Sequence, residues 1–111
     1  MKKKAKFVVN TFYKIHPDDI QKFTDAVKPH LEETRKLEGC VFYTFSFDML
    51  DPTIINLAEG WADQQTIDTH LASENFQTAL KGVMDNVRIL DRHGLIYTVS
   101  DESEIIPEVI D

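Results

Sequence analysis

The chain has 111 residues, the size of one domain, and 42% of them are hydrophobic, which is enough for a packed core. Its formal net charge of -7 disfavours nucleic acid and anionic membranes as partners, because binding phosphate groups requires basic surface. The single cysteine, Cys40, excludes an intrachain disulfide and a cluster of thiolates that could hold a metal.

The first predicted element is a strand over residues 5–13, where β-branched and aromatic residues predominate. Val8, Asn10 and Phe12 alternate onto one face of it. The Asn10 amide faces either a sheet edge or turn, or else the core or a pocket, where it needs hydrogen-bond partners. The apolar run Phe7-Val8-Val9 is too short for a signal peptide, and no segment is long enough to cross a membrane. We therefore expect a cytoplasmic protein.

A helix is predicted to begin at Pro17-Asp18-Asp19, because proline and acidic residues favour the first turn. Its buried stripe, at helical spacing, consists of Ile20, Phe23, Val27, Leu31 and Thr34. Pro29 must kink or divide this helix, since it removes a backbone hydrogen bond. We interpret the following His30 as a solvated or capping residue. Gly39 is predicted to end the helix.

Two strands come next and are predicted to form an antiparallel hairpin around the turn Leu50-Asp51-Pro52. One face of residues 40–48 is apolar and aromatic; it carries Val41, Tyr43, Phe45 and Phe47. In residues 53–61, one face carries Ile55, Leu57, Glu59 and Trp61, and the other Ile54, Asn56, Ala58 and Gly60. On the second face the side chains become small toward the end of the strand, at Ala58 and Gly60. The missing side-chain volume either lets a helix pack closely against the sheet or leaves a cavity.

The remaining segments are predicted to be two helices and a strand. Residues 63–71 place Ile67, His70 and Leu71 on one helical face. Ser73 can cap a second helix. The buried stripe of that helix comprises Phe76, Ala79, Leu80, Val83 and Val87. Residues 91–94 are predicted to be a loop, and residues 95–99 a fourth strand.

The predicted order β-α-β-β-α-β is the ferredoxin-like α+β fold, a four-stranded antiparallel sheet with helices on one face. Residues 1–100 form the single domain. Residues 101–111 form an acidic tail that we expect to be a loose arm, unless its apolar pairs Ile105-Ile106 and Val109-Ile110 dock on a partner subunit. Aromatic side chains on the second sheet face need cover, so we expect a symmetric homodimer with sheet packed against sheet.

A spaced set of residues runs from the first helix to the last. It comprises Thr34-Arg35, Glu38-Gly39-Cys40, Tyr43, Glu59-Gly60-Trp61, His70, Ser73 and Phe76. In order and spacing the set resembles the antibiotic biosynthesis monooxygenase family, dimeric α/β barrels that include quinol monooxygenases. The resemblance covers about residues 7–99. It implies a homodimeric enzyme that oxygenates a small aromatic substrate, such as a quinol, with dioxygen and no cofactor.

Such chemistry needs a cavity that excludes water, holds a deprotonated phenol or quinol, and stabilises its anion with hydrogen-bond donors. We predict Asn10, Trp61 and His70 as catalytic residues. An amide and an indole N–H can donate, and an imidazole exchanges protons near neutral pH. The predicted substrate-binding residues are Phe12, Asn56, Glu59, Phe76 and Leu80.

Three of these residues have structural alternatives. Trp61 is otherwise core packing with its N–H satisfied locally. Glu59 is either an ion-pair partner of Arg35 or a buried carboxylate of raised pKa that acts as a base. His70 is either a base or a core residue bonded to a backbone carbonyl, and burial alone would lower its pKa.

Haem-degrading members of the family resemble this chain at Asn10. They carry a tryptophan at the position of His70 and an axial histidine where this chain has Leu80. Because leucine cannot ligate iron, and because no Gly-rich dinucleotide loop is present, we expect no haem, flavin or metal cofactor.

Two other functions stay open. One is a non-enzymatic dimer of the same fold that binds a small ligand. The other is an isomerase of a small phosphorylated ketone, which would need a phosphate site. The basic candidates for that site are Arg88, Arg92 and His93.

Overall fold

One antiparallel sheet spans the domain. The computed structural model describes residues 3–106. Its strands are β1 Phe7–Ile15, β2 Cys40–Phe47, β3 Ile54–Trp61 and β4 Ile89–Thr98. Its helices are α1 Ile20–Val27, α2 Leu31–Arg35, α3 Gln64–Ala72 and α4 Glu74–Asn86. The strand order β2-β3-β1-β4 confirms the predicted ferredoxin-like α+β fold.

The hydrophobic core lies between the helices and one face of the sheet. Alternate residues of β3 point into it, as predicted, and Ile55, Leu57 and Trp61 are at most 6% exposed. One cluster joins Ile15 and Ile55 to Phe23 of α1 and Val83 of α4. A second cluster joins Tyr43, Leu57 and Trp61 to Ile67 of α3. The aromatic face predicted for β2 therefore contributes to the core of this chain.

The first helical segment is divided at Pro29, as expected. A short 3-10 turn, Lys28–His30, separates α1 from α2. The helix ends at Arg35, so the prediction that Gly39 ends it is wrong. Gly39 instead lies where α3 approaches the start of β2, and a Cβ atom at this position would overlap the hydroxyl of Thr66. The glycine permits this close approach.

The fourth strand begins earlier than predicted. Residues 91–94, predicted to be a loop, belong to β4 and pair with β1, with Gly94 opposite Thr11. Every residue of β4 is exposed, so this edge strand needs no apolar alternation, and its residues 91–94 (Asp-Arg-His-Gly) resemble a loop in composition. Residues 101–106 have no regular secondary structure. Val109-Ile110 of the tail lie outside the described residues.

A buried carboxylate joins the first helical turn to the end of α4. Asp19 is 1% exposed and accepts hydrogen bonds from the Arg88 backbone N–H (2.8 Å), Nε (2.8 Å) and Nη2 (3.1 Å). These bonds hold the pKa of Asp19 well below its usual range. The pair fixes the connection between the helical layer and the start of β4.

We expect Asp19→Asn to lower the melting temperature by about 5 °C or more at pH 7, because charge-assisted hydrogen bonds to Arg88 are lost. The stabilisation is present above the unfolded-state pKa of about 4 and is lost as the pH falls below it. The melting temperatures of wild type and variant should therefore converge toward pH 2 in thermal unfolding followed by circular dichroism. Asp18→Asn is the control, since the Asp18 side chain is 79% exposed; an equal effect of both substitutions would contradict this account.

Candidate active site

A cavity of about 380 Å³ lies between the sheet and the helices. This volume is in the range of small-molecule sites. The lining is mostly aromatic and aliphatic, including Tyr13, Phe23, Tyr43, Phe45, Leu57, Phe76 and Leu80. The polar groups among the lining residues are those of Thr11, His30, Thr34, Glu59, His70, Asn75 and Arg92.

The predicted site residues divide between the two faces of the sheet. Glu59, His70, Phe76 and Leu80 line the cavity on the helix side. Asn10, Phe12 and Asn56 line a second pocket, of about 450 Å³, on the opposite face, which we call the outer face. The alternation of side chains along a strand is the cause. Asn10 pairs with Ala58 and Phe12 with Asn56, and these residues point to the outer face, whereas Glu59 and Trp61 of β3 point to the opposite, helix-covered face. Asn10, Trp61 and His70 therefore do not line one common cavity of the single chain.

His70 is a buried polar residue of the cavity wall. Its ring is 3% exposed and lies against Phe76, Trp61 and Tyr43, at centroid distances of 4.7, 5.0 and 5.3 Å. Its Nδ1 atom is buried without a partner, and within residues 3–106 the ring makes no hydrogen bond. The alternative in which His70 bonds a backbone carbonyl is therefore not what the structure shows.

Burial also sets the charge of His70. Desolvation lowers the pKa of this imidazole, as expected from its sequence environment. The ring is consequently neutral at pH 7. An unpartnered buried polar atom costs free energy, about 1–3 kcal/mol in general, and a bound polar ligand could recover this cost.

Glu59 is a half-buried acid on the same side of the sheet. Its Oε1 atom accepts the Trp61 indole N–H at 3.0 Å. Burial raises the pKa of Glu59. The alternative ion pair with Arg35 is wrong, because Arg35 Nε donates to the backbone carbonyl of Tyr43 at 2.8 Å. Of the two interpretations of Glu59, the carboxylate of raised pKa agrees with the structure.

We expect Glu59→Gln to raise the melting temperature at neutral pH. Because the pKa of Glu59 is higher in the folded chain than in the unfolded chain, where it is about 4.5, the folded state loses stability as the pH rises above that value and the buried carboxyl group must ionise. Glutamine still accepts the Trp61 N–H and never ionises. The gain should be absent at pH 4 and grow toward pH 8 in thermal unfolding. Glu38→Gln, at a side chain 88% exposed, is the control, and an unchanged melting temperature of Glu59→Gln at pH 8 would refute the prediction.

Two phenols complete the polar part of the cavity wall. Burial raises the pKa of both Tyr13 and Tyr43, so both remain protonated donors at neutral pH. The Arg92 guanidinium lies over the Tyr13 ring, 5.8 Å from its centroid. The cavity therefore offers neutral donors and acceptors around its apolar surface, with Arg92 as the cation among its lining residues.

Sequence reasoning missed His30 and Asn75. His30 is half-buried at the N-cap position of α2, but its side chain makes no capping hydrogen bond and lines the cavity instead. Its Nδ1 atom lies 2.7 Å from Asn75 Oδ1, at the start of α4. The two residues are 45 positions apart in the chain, and no local pattern could have paired them.

The described residues include neither a metal site nor a membrane span. In residues 3–106, no group of three or more His, Cys, Asp or Glu side chains is placed to hold a metal ion. No helix of the same range is long and apolar enough to cross a membrane. Leu80 lines the cavity with a hydrocarbon side chain, which cannot ligate iron.

Known proteins resemble this chain in sequence and in fold. The family model described as antibiotic biosynthesis monooxygenase matches residues 6–82. A comparison with curated proteins gave no match. A candidate antibiotic biosynthesis monooxygenase from Deinococcus radiodurans has a TM-score of 0.79 at 18% identity, covering 91% of this chain and 99% of its own. A similar candidate from Nitrosomonas europaea has a TM-score of 0.77 at 20% identity, covering 86% and 99%. A conserved protein from Methanosarcina mazei Go1 has a TM-score of 0.75 at 26% identity, covering 83% and 90%.

Proposed function

Because the chain belongs to the antibiotic biosynthesis monooxygenase family, we propose that it oxidises a quinol or related electron-rich aromatic with dioxygen, without a cofactor. The observation that carries this proposal is the aromatic-lined cavity in which His70 is buried, neutral and without a partner. The ring of an aromatic ligand matches the apolar walls, and its phenolic hydroxyl can hydrogen-bond to His70, whose Nδ1 atom has no partner.

The neutral imidazole supports the first chemical step. His70 accepts the proton of a substrate hydroxyl, and the electron pair stays on the substrate oxygen. The anion is electron-rich enough to reduce dioxygen directly. One oxygen atom then enters the ring and the other leaves as water, with all electrons supplied by the quinol as it becomes a hydroxyquinone. The apolar walls disfavour water beside the anion, and the Tyr13 and Tyr43 hydroxyls are the available donors for it.

Oxygen consumption with a panel of reduced quinones tests the proposal. We expect turnover well above the rate of quinol autoxidation, with one atom of isotopically heavy dioxygen in the product. Ala79→Trp, which fills the cavity, should abolish the enzymatic excess without changing autoxidation. Tight quinol binding without oxygen consumption would instead support a non-enzymatic ligand-binding dimer.

The isomerase alternative receives less support from the geometry. Of its basic candidates, Arg88 is engaged by Asp19, and His93 lines the pocket on the outer face. Arg92 is the candidate that lines the cavity. A single exposed guanidinium does not form a phosphate-binding cradle of backbone N–H groups.

We also propose a homodimer that packs outer face against outer face. Leu95 and Tyr97 on this face are 47% and 49% exposed and flank the pocket that contains Asn10, Phe12 and Asn56. A second copy would cover all of these side chains. Asn10, Phe12 and Asn56 would then lie at the subunit interface, and they would bind or act on a substrate there.

Sedimentation analysis tests the dimer. We expect a dimer at micromolar concentration, with an interface above about 1,600 Å² in total. Leu95→Glu should shift the equilibrium to monomer, because it places a charge in the apolar surface that the second copy would cover. Leu50→Glu, at the hairpin tip where Leu50 is 95% exposed, is the control. A stable wild-type monomer at this concentration would exclude the proposal.

A further inference from the structure

A closed hydrogen-bond network holds His30 in the cavity wall. Asn75 Nδ2 donates to the His30 backbone carbonyl at 3.0 Å and to Thr34 Oγ1 at 3.2 Å. Thr34 is 3% exposed, and its hydroxyl donates to the same His30 carbonyl at 3.2 Å. Asn75 Oδ1 lies 2.7 Å from His30 Nδ1. Three side chains from two helical segments are thus connected.

This network determines which nitrogen of His30 carries the proton. A backbone carbonyl can only accept, so the Asn75 amide must turn its NH₂ group toward the His30 carbonyl. The amide oxygen then faces His30 Nδ1 and requires a donor there. A neutral imidazole has one N–H, so the proton is on Nδ1 and the lone pair is on Nε2. Within residues 3–106, Nε2 makes no hydrogen bond.

We propose that His30 Nε2 is a second proton-accepting atom of the cavity, and that Asn75 holds His30 in the required tautomer. His70 accepts the proton of one substrate hydroxyl, and His30 accepts the proton of the other. Asn75 is a positioning residue. The proposal rests on the proposed function and deepens it, since two acceptors select an aromatic diol over a monophenol.

The step is a proton transfer. The substrate O–H bond breaks, its electron pair remains on the substrate oxygen, and a new N–H bond forms at Nε2. The resulting imidazolium keeps its Nδ1–H on Asn75 Oδ1, so the positive charge remains hydrogen-bonded. Loss of both hydroxyl protons of a quinol, one to each histidine, accompanies its oxidation to the quinone level. The oxidant is dioxygen, as in the proposed reaction.

Nuclear magnetic resonance of the ligand-free protein tests the tautomer without any turnover. Long-range proton–nitrogen spectra should show His30 Nε2 as an unprotonated nitrogen. Asn75→Ala should remove this preference, whereas Asn86→Ala should not. Asn86 is the matched control, because it lies on the same helix and donates to the Gly82 carbonyl at an exposed position. A protonated Nε2 in the wild type would overturn the proposal.

Binding of 4-nitrocatechol, a chromophoric diol, tests the contact. Saturation should shift the His30 Nε2 resonance and produce the absorbance of the ionised probe. His30→Gln should weaken probe binding at least about tenfold, because one hydroxyl loses its basic acceptor while His70 can still take the proton of the other. His16→Gln, outside the cavity lining, should leave binding unchanged. Failure of the probe to bind, or binding with the His30 resonance unmoved, would overturn the proposal. If these results hold but no quinol consumes oxygen, then the proposed function fails and the site assignment stands.

Discussion

We expect His70→Gln to lower kcat on a verified quinol by about 10² to 10⁴-fold while leaving the melting temperature nearly unchanged. Glutamine keeps hydrogen-bonding capacity and approximate size but cannot act as a base. The ring of His70 makes no hydrogen bond within residues 3–106, so the substitution removes no side-chain hydrogen bond on which the fold depends. A large kinetic effect with a small stability effect is the signature of a group that acts on the substrate.

The pH dependence adds an independent measurement. The lowered pKa of His70 means that the folded chain binds fewer protons than the unfolded chain below about pH 6.5. Stability conferred by the neutral ring is therefore lost as the pH falls through this value. The melting temperature of His70→Gln relative to wild type should rise from pH 7 to pH 5. Full turnover of His70→Gln between pH 6 and 8 would show that His70 is not the base.

The fold was predictable because its determinants are local. Alternation in β3, the capping position of Ser73, and the break at Pro29 each act over a few residues, and each is found where expected. The early part of β4 was missed because an uncovered edge strand carries no hydrophobic pattern. The close approach that requires Gly39 involves Thr66, on a separate element, and gives no local signal.

The candidate site was only partly predictable, because a cavity is a property of elements distant in sequence. Alternation placed Glu59 on the same face of β3 as Trp61, and the helical pattern placed His70 on a buried face. The face of Asn10 relative to the helices depends on how β1 enters the sheet, which its own sequence leaves open. The contact between His30 and Asn75 depends on the packing of α4 against the first helical segment.

Trp61 is expected to matter through packing, and its replacement should produce the largest stability loss considered. It is 0% exposed, belongs to the second core cluster and supports the ring of His70 at 5.0 Å. We expect Trp61→Ala to cost about 3–5 kcal/mol of unfolding free energy. This is a large fraction of the 5–15 kcal/mol that is typical of whole domains. Chemical denaturation with urea is the measurement.

Trp61→Phe separates packing from catalysis, because it keeps an aromatic ring and removes the N–H. That N–H already donates to Glu59, and Trp61 is not among the residues that line the cavity. We therefore expect a clear loss of stability, since Glu59 loses its partner, but a decrease in kcat of less than about tenfold. Phe47→Leu, at a side chain 54% exposed, is the control for reducing an aromatic side chain outside the core. If Trp61→Phe instead lowers kcat as far as His70→Gln at an unchanged melting temperature, then the indole donates to the substrate, as the sequence first predicted.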